Sequence, residues 1–114
     1  MKIVLTGNPL STQNIYLQHG KFRFMKKEAK ARKIQYEWEA FAQWKGKPLS
    51  GDFKIEIDLF FGDRRKRDWD NFHKLTMDAL TGIVWVDDGQ VKEATVRLNY
   101  DKANPRTVIH LTQI

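Results

Sequence analysis

The residues with the most chemistry to offer lie between Arg64 and Lys74, where Arg64-Arg65-Lys66-Arg67 runs into Asp68-Trp69-Asp70-Asn71-Phe72-His73-Lys74. Four cations lead into two carboxylates spaced by one residue, and an amine follows four positions after the second. If the chain is extended at Asp68 and turns into a helix near Asp70, both acids lie at the helix start and Lys74 one turn on. Metal-assisted phosphodiester hydrolysis calls for this mix. Carboxylate oxygens suit Mg²⁺, a bound cation lowers the pKa of its water toward neutrality, and a lysine offsets charge growing on the phosphate. Arg64, Arg65, Lys66 and Arg67 are then placed to grip backbone phosphates beside the site.

Each of these residues also has an ordinary structural use. Asp68 or Asp70 can cap a helix, Asp70 with Lys74 can be a helix-face ion pair worth about 0.2–0.5 kcal/mol, and the basic run can be a solvated loop. A second acidic pair, Asp87-Asp88, follows the apolar Ile83-Val84-Trp85-Val86 and precedes Gly89-Gln90-Val91. The short hop after the second helix can fold Asp88 back beside Asp68 and Asp70 as a third carboxylate. Asp87-Asp88-Gly89 also reads as a simple turn, and spacing alone leaves both readings open.

The elements that must position these residues are read from hydrophobic period and breakers. Residues 2–6 read as a short strand, followed by the turn-rich Gly7-Asn8-Pro9-Leu10-Ser11 and a basic, aromatic stretch around Lys21-Phe22-Arg23-Phe24 that can form a hairpin arm. No Gly or Pro interrupts the chain from Met25 to Trp44. Ile34, Trp38 and Phe41 recur there at helical spacing, with Ala29 and Ala42 on or near the stripe, so a long helix with that apolar face is expected. Its first half carries Lys26, Lys27, Lys30, Arg32 and Lys33, a run that reads as a solvated face.

Gly46-Lys47-Pro48-Leu49-Ser50-Gly51 is a loop by its breakers. Residues 53–61 then alternate, with Phe53, Ile55, Ile57, Leu59 and Phe61 on one side and Lys54, Glu56 and Asp58 on the other, as in a strand with one buried face. A second helix over residues 70–81 presents Phe72, Leu75, Thr76 and Ala79 inward and ends at Gly82. Strands near 92–100 and 106–112 follow, joined as a hairpin across Asp101-Lys102-Ala103-Asn104-Pro105. The expected class is α+β in the order β-α-β-α-β-β: a small mixed sheet with two main helices packed on it, in one domain spanning residues 1–114.

Composition narrows the function classes. Twenty Lys and Arg against 14 Asp and Glu give a formal net charge of +6, the footprint of a protein that meets a polyanion. The absence of cysteine excludes disulfides, thiolate metal sites and a Cys nucleophile, and is compatible with a reducing compartment. The N-terminal apolar run is too short for a signal peptide and no stretch has membrane-spanning length, so a cytoplasmic protein with no membrane association is expected.

The run Arg64 to Lys74, then Asp78-Ala79-Leu80-Thr81, then Val84-Trp85-Val86-Asp87-Asp88-Gly89-Gln90-Val91 resembles the RusA family of Holliday junction resolvases. The resemblance is strong over roughly residues 60–92, with weaker support from Pro9, Ser11, Asn14 and Tyr16. It implies a RusA-like homodimer, dependent on Mg²⁺ with Mn²⁺ able to substitute, that resolves four-way DNA junctions by paired symmetric nicks in recombination and repair. Such enzymes are often encoded by prophages. Residue by residue, Asp68, Asp70 and Asp88 match the family's catalytic, metal-holding acids, and Lys74 matches its catalytic lysine.

The family commonly carries Gln or another polar residue where His73 stands, so no role is carried over to it and exposed helix surface is expected. Asp87 reads as a neighbouring support or a structural residue, and Asn71 as a helix cap or an orienter of an acid. Two other functions share these residues: a less selective metal-dependent nuclease, and a non-catalytic basic protein whose acids are caps and turns. Phe22 and Phe24 could stack on an exposed base, but alternating aromatics in a strand are more often core or interface, and that reading is preferred.

Overall fold

The segment Phe53–Phe61 organises the fold: its odd-numbered residues are all buried, while those between them stay partly in solvent. That period of two is what a strand with one covered face produces. In the computed structural model, which describes residues 1–114, the elements in chain order are β1 (Lys2–Thr6), β2 (Tyr16–His19), β3 (Phe22–Met25), α1 (Lys27–Gln43), β4 (Phe53–Phe61), α2 (Lys74–Leu80), β5 (Val91–Tyr100) and β6 (Arg106–Gln113). Short 3-10 turns lie at Thr12–Asn14, Trp69–Asn71 and Asp88–Gln90. The class is α+β, as expected, with a mixed sheet in the order β1-β6-β4-β5 and the β2–β3 hairpin standing apart as a second, two-stranded sheet.

The last two strands do not form the expected hairpin. β6 pairs antiparallel with β4, and β5 pairs parallel with β4 on its other side. The 101–105 turn therefore steps across the end of β4, where the Asp101 N–H donates to the Phe61 carbonyl at 2.8 Å. Burial explains the order: β4 has one fully covered face and takes an interior place, whereas β5 is exposed along most of its length and lies at an edge. A parallel pair needs a long crossover, and α2 sits within it.

Helix α1 turns a different face inward from the one its apolar spacing suggests. Ile34, Trp38 and Phe41 are each more than half exposed, and Ala42 is exposed too; Ala29, Tyr36 and Ala40 are the buried residues. The reason lies in the neighbouring strand. β1 is the other edge of the sheet, and its outward N–H and C=O groups need partners. Gln35, Glu39 and Gln43, one turn apart on α1, supply them. The Val4 N–H donates to Gln43 Oε1 at 2.8 Å, Gln43 Nε2 donates to the Val4 carbonyl at 2.7 Å, the Thr6 N–H donates to Glu39 Oε1 at 3.1 Å, and Gln35 Nε2 donates to the Thr6 carbonyl at 2.9 Å.

Helix α2 is shorter than expected because residues before Lys74 form a 3-10 turn instead. It buries Leu75, Thr76, Ala79 and Leu80, and Gly82, at φ 92°, carries the chain away in a conformation that side chains rarely adopt. The chain then buries Trp85, whose ring lies 5.3 Å from that of Phe53 and whose Nε1 donates to Thr81 Oγ1 at 2.8 Å. No helix is long and apolar enough to cross a membrane.

Trp85 thus joins β4 to the end of the crossover. Trp85→Ala should lower the free energy of unfolding by about 3–5 kcal/mol, read from urea denaturation. A change under about 1 kcal/mol would show that the indole is not a core element.

Candidate functional site

The first acidic turn hangs from β4 by the 62–68 loop. Asp68 is extended and Asp70 lies in the 3-10 turn Trp69–Asn71; both are exposed, and neither carboxylate has a hydrogen-bond or ion-pair partner. The turn itself is held. Thr12 Oγ1 donates to the Asn71 carbonyl at 3.0 Å, and the Phe72 ring meets Phe61 edge-on at 5.0 Å. Asn71 therefore serves through its backbone, and α2 opens after His73 with no side-chain cap. His73 is not plain exposed surface. It is half-buried beside Trp69, Met77, Val91 and Val96 in an apolar depression of about 200 Å³, and its Nδ1 is buried without a partner.

The second acidic turn separates its two acids by role. Asp87 Oδ2 accepts from the Gly89 N–H at 3.0 Å, and the Asp87 N–H donates to Gln90 Oε1 at 2.7 Å, a capping box that uses the Asp87 carboxylate structurally. A Cβ at Gly89 would sit 2.7 Å from Asp87 Oδ2, so a larger residue there would make the Asp87 carboxylate shift. Gln90 Nε2 donates to the Leu49 and Gly51 carbonyls at 2.8 and 2.7 Å, tying the turn to the 46–51 loop. Asp88 stays exposed with its carboxylate unengaged.

The two turns are neighbours without forming one ligand set. Trp69, between Asp68 and Asp70, and Val91, just past the Asp88 turn, line the same depression. No group of three or more His, Asp or Glu side chains converges closely enough to hold a metal ion. The donor chemistry fits a divalent cation nonetheless: hard oxygens, exposed, with nothing else bound to them. Lys74 does not form the ordinary helix-face pair with Asp70, because α2 begins at Lys74 and Asp70 lies outside it; Nζ instead meets Asp78 at 3.3 Å.

The basic run is a folded loop. Asp63 Oδ1 accepts from the Arg65 backbone N–H at 3.0 Å and from Arg67 Nη2 at 2.7 Å, while Asp63 Oδ2 accepts from Arg65 Nη2 at 3.2 Å. The Arg65 contacts first, then Arg67, hold the Asp63 carboxyl well below the usual carboxylate range. Arg67 is turned into the loop. Its side chain is only 13% exposed, it donates to the Asp63 and Arg65 carbonyls, and its guanidinium lies 4.1 Å over the Phe61 ring. Arg64 lies over Tyr100 at 4.2 Å, and Arg64, Arg65 and Lys66 remain exposed.

Positioning residues that sequence reasoning missed come from the N-terminal segment. Asn8 Oδ1 accepts from the Gly62 N–H at 2.9 Å where the basic loop begins, and Arg32 Nη1 donates to the Asn8 carbonyl at 2.6 Å. Pro9, Ser11 and Asn14 face Arg65 and Arg67 across a polar cleft. With Thr12 on Asn71, this segment braces both the basic loop and the acidic turn. The sequence signals were a turn-rich composition and the family-like Pro9, Ser11, Asn14 and Tyr16, none of which pointed to Asn8, Thr12 or Arg32.

Comparison with known proteins bears on the family of the chain. The family model for endodeoxyribonuclease RusA matches residues 6–112. The crossover junction endodeoxyribonuclease rusA of Enterobacteria phage 82 is 48% identical over 49 residues, 42% of this chain and 41% of that protein. The crossover junction endodeoxyribonucleases RusA of Escherichia coli (strain K12) and Shigella sonnei (strain Ss046) match with the same figures. The matched stretch spans about two fifths of the length of these curated relatives. Since the family match runs over nearly all of the sequence, the chain belongs to the RusA family of endodeoxyribonucleases.

Proposed function

We propose that this chain is a structure-selective endodeoxyribonuclease that resolves four-way DNA junctions by paired symmetric nicks, using a divalent cation, Mg²⁺ or Mn²⁺. The observation that carries the reading is the state of the acids. Asp68, Asp70 and Asp88 sit unengaged on turns whose backbones are fixed by other residues, while the adjacent Asp87 is consumed by a cap. A held backbone presenting free hard donors is what a cation-dependent site needs. The junction substrate rests on the printed names of the relatives and on the net charge of +6.

In this reading Asp68, Asp70 and Asp88 are the residues that would hold the cation, through their carboxylate oxygens. When bound, it would supply Lewis acidity for water and for the scissile phosphate. Lys74 brings further positive charge to that phosphate. Its present pairing with Asp78 is exposed and worth under about 1 kcal/mol, so exchange for a phosphate is easy. Arg64, Arg65 and Lys66 contact flanking phosphates, and Arg67 keeps the loop in shape for them, with any phosphate contact of its own secondary.

Two equivalent cuts in a two-fold branched substrate call for two equivalent sites, so the active species is a homodimer. Exposed apolar surface supports this: Trp38 and Phe41 on α1, and Leu98 and Tyr100 on β5, lie uncovered in the single chain. Cleavage of junction, plain duplex and single strand side by side separates a resolvase from a less selective nuclease, and omission of the cation separates either from a binding protein.

Asp70→Asn and Asp88→Asn should each reduce junction cutting by about 10²–10³-fold or more while the melting temperature and junction affinity hold. Asp87→Ala should do the reverse, lowering stability by about 1 kcal/mol and leaving cutting in place where the protein is folded. Wild-type cutting by Asp70→Asn would remove the assignment. For the basic loop, Lys66→Ala should flatten the plot of log affinity against log salt by about one unit; an unchanged slope would place Lys66 off the DNA.

A further inference from the structure

We propose that the β2–β3 hairpin is a DNA-engaging arm, with Phe22 and Phe24 stacking on base faces left unstacked at the branch point. The inference rests on the nuclease reading above and deepens it with a contact made far along the chain from the acids. Register places Leu17 opposite Phe24 and His19 opposite Phe22, so these four share one face of the hairpin. Phe22 is 66% exposed and Phe24 51%, contrary to the core reading of their alternation. An isolated two-stranded hairpin is marginally stable in water, and large apolar groups left open on one mark a surface that meets something.

Charge identifies the occupant. From Met1 to Lys27 the chain has no Asp or Glu, while the arm and its exit carry Lys21, Arg23, Lys26 and Lys27. Two such arms facing each other across a two-fold axis would repel, whereas a polyanion bearing flat apolar faces satisfies both the cations and the rings. Geometry suits a base. The Phe22 and Phe24 ring centroids are 6.1 Å apart with planes 32° from parallel, within an ångström of the roughly 6.8 Å that two stacking steps of 3.4 Å occupy. Bases within a duplex have both faces covered, so only unstacked ones offer the rings a surface.

The arm is also continuous with the site. Its root, the turn Thr12–Asn14, is the element whose Thr12 hydroxyl bonds the Asn71 carbonyl, and the Lys26 N–H donates to the Ile15 carbonyl at 2.7 Å to close the base of the hairpin. On the opposite face the Arg23 guanidinium lies 3.9 Å over the Tyr16 ring, which stiffens the strands. Four extended residues carry the tip about 13 Å from the root, a span of about four nucleotides along one strand.

The test uses the full-length protein without divalent cation, so that nothing is cut, and a four-way junction carrying 2-aminopurine beside the branch point. The wild type should change the probe's fluorescence on binding. Phe22→Ala/Phe24→Ala should abolish that change and weaken junction binding about 10- to 100-fold, with duplex binding and sedimentation unaltered. Phe22→Tyr/Phe24→Tyr, which keeps the π faces, should retain binding, and Phe22→Leu/Phe24→Leu, which keeps only apolar bulk, should not. Wild-type binding and fluorescence in the alanine variant, or a smaller sedimenting species in place of a fluorescence loss, would overturn the arm. Junction cutting by the wild type with Mg²⁺ is followed in parallel. If the wild type perturbs the probe but never cuts, the nuclease reading falls and the arm stands; if it cuts and the alanine variant binds normally, only the arm falls.

Discussion

The parallel pairing of β4 with β5 is the constraint on which the rest of the molecule depends. Parallel neighbours cannot be joined by a tight turn, so the chain must leave the end of β4, cross a face of the sheet and return to the start of β5. That obligatory path, residues 62–90, contains the basic loop, both acidic turns, α2 and Trp85. It leaves over Phe61 and Tyr100, which receive Arg67 and Arg64, and it returns through Trp85 against Phe53. Charged residues well apart in sequence become neighbours because the crossover has to come back beside the strand it left.

Within that path each like-charged run is divided between structure and display. Asp63 gathers Arg65 and Arg67 and so permits a loop of consecutive cations to fold. Asp87 closes a cap and so leaves Asp88 as the free acid of its pair. Side chains that are spent locally fix the backbone, and the fixed backbone presents those that are not. The bracing from Asn8 and Thr12 serves the same end from outside the crossover.

Where one physical signal dominated, the fold was legible in the sequence. The alternation of 53–61 and the helix ending at Gly82 follow from local period and turn chemistry, and the structure agrees with each. The failures share a cause, which is that a tertiary partner outranked the local pattern. α1 faces inward with Gln35, Glu39 and Gln43 because an unpaired strand edge requires hydrogen bonds, and hydrophobic periodicity carries no record of that need. β5 and β6 look like a hairpin until β4 competes for both. His73 is drawn into an apolar depression that exists only once β5 lies beside the crossover. Phe22 and Phe24 have the spacing of a buried face, yet no second layer covers them.

The side-chain seal along β1 has one more consequence. With Gln35, Glu39 and Gln43 occupying the outward groups of Val4 and Thr6, a further strand cannot pair along most of β1, and β5 is the open edge. A sheet open at both edges can recruit copies without limit, as fibres do; a sheet open at one can join a single equal edge and is then complete. The polar side chains of one helix therefore act as a chain terminator for β-polymerisation, and they leave this small, basic protein with a finite stoichiometry for any assembly made through its sheet.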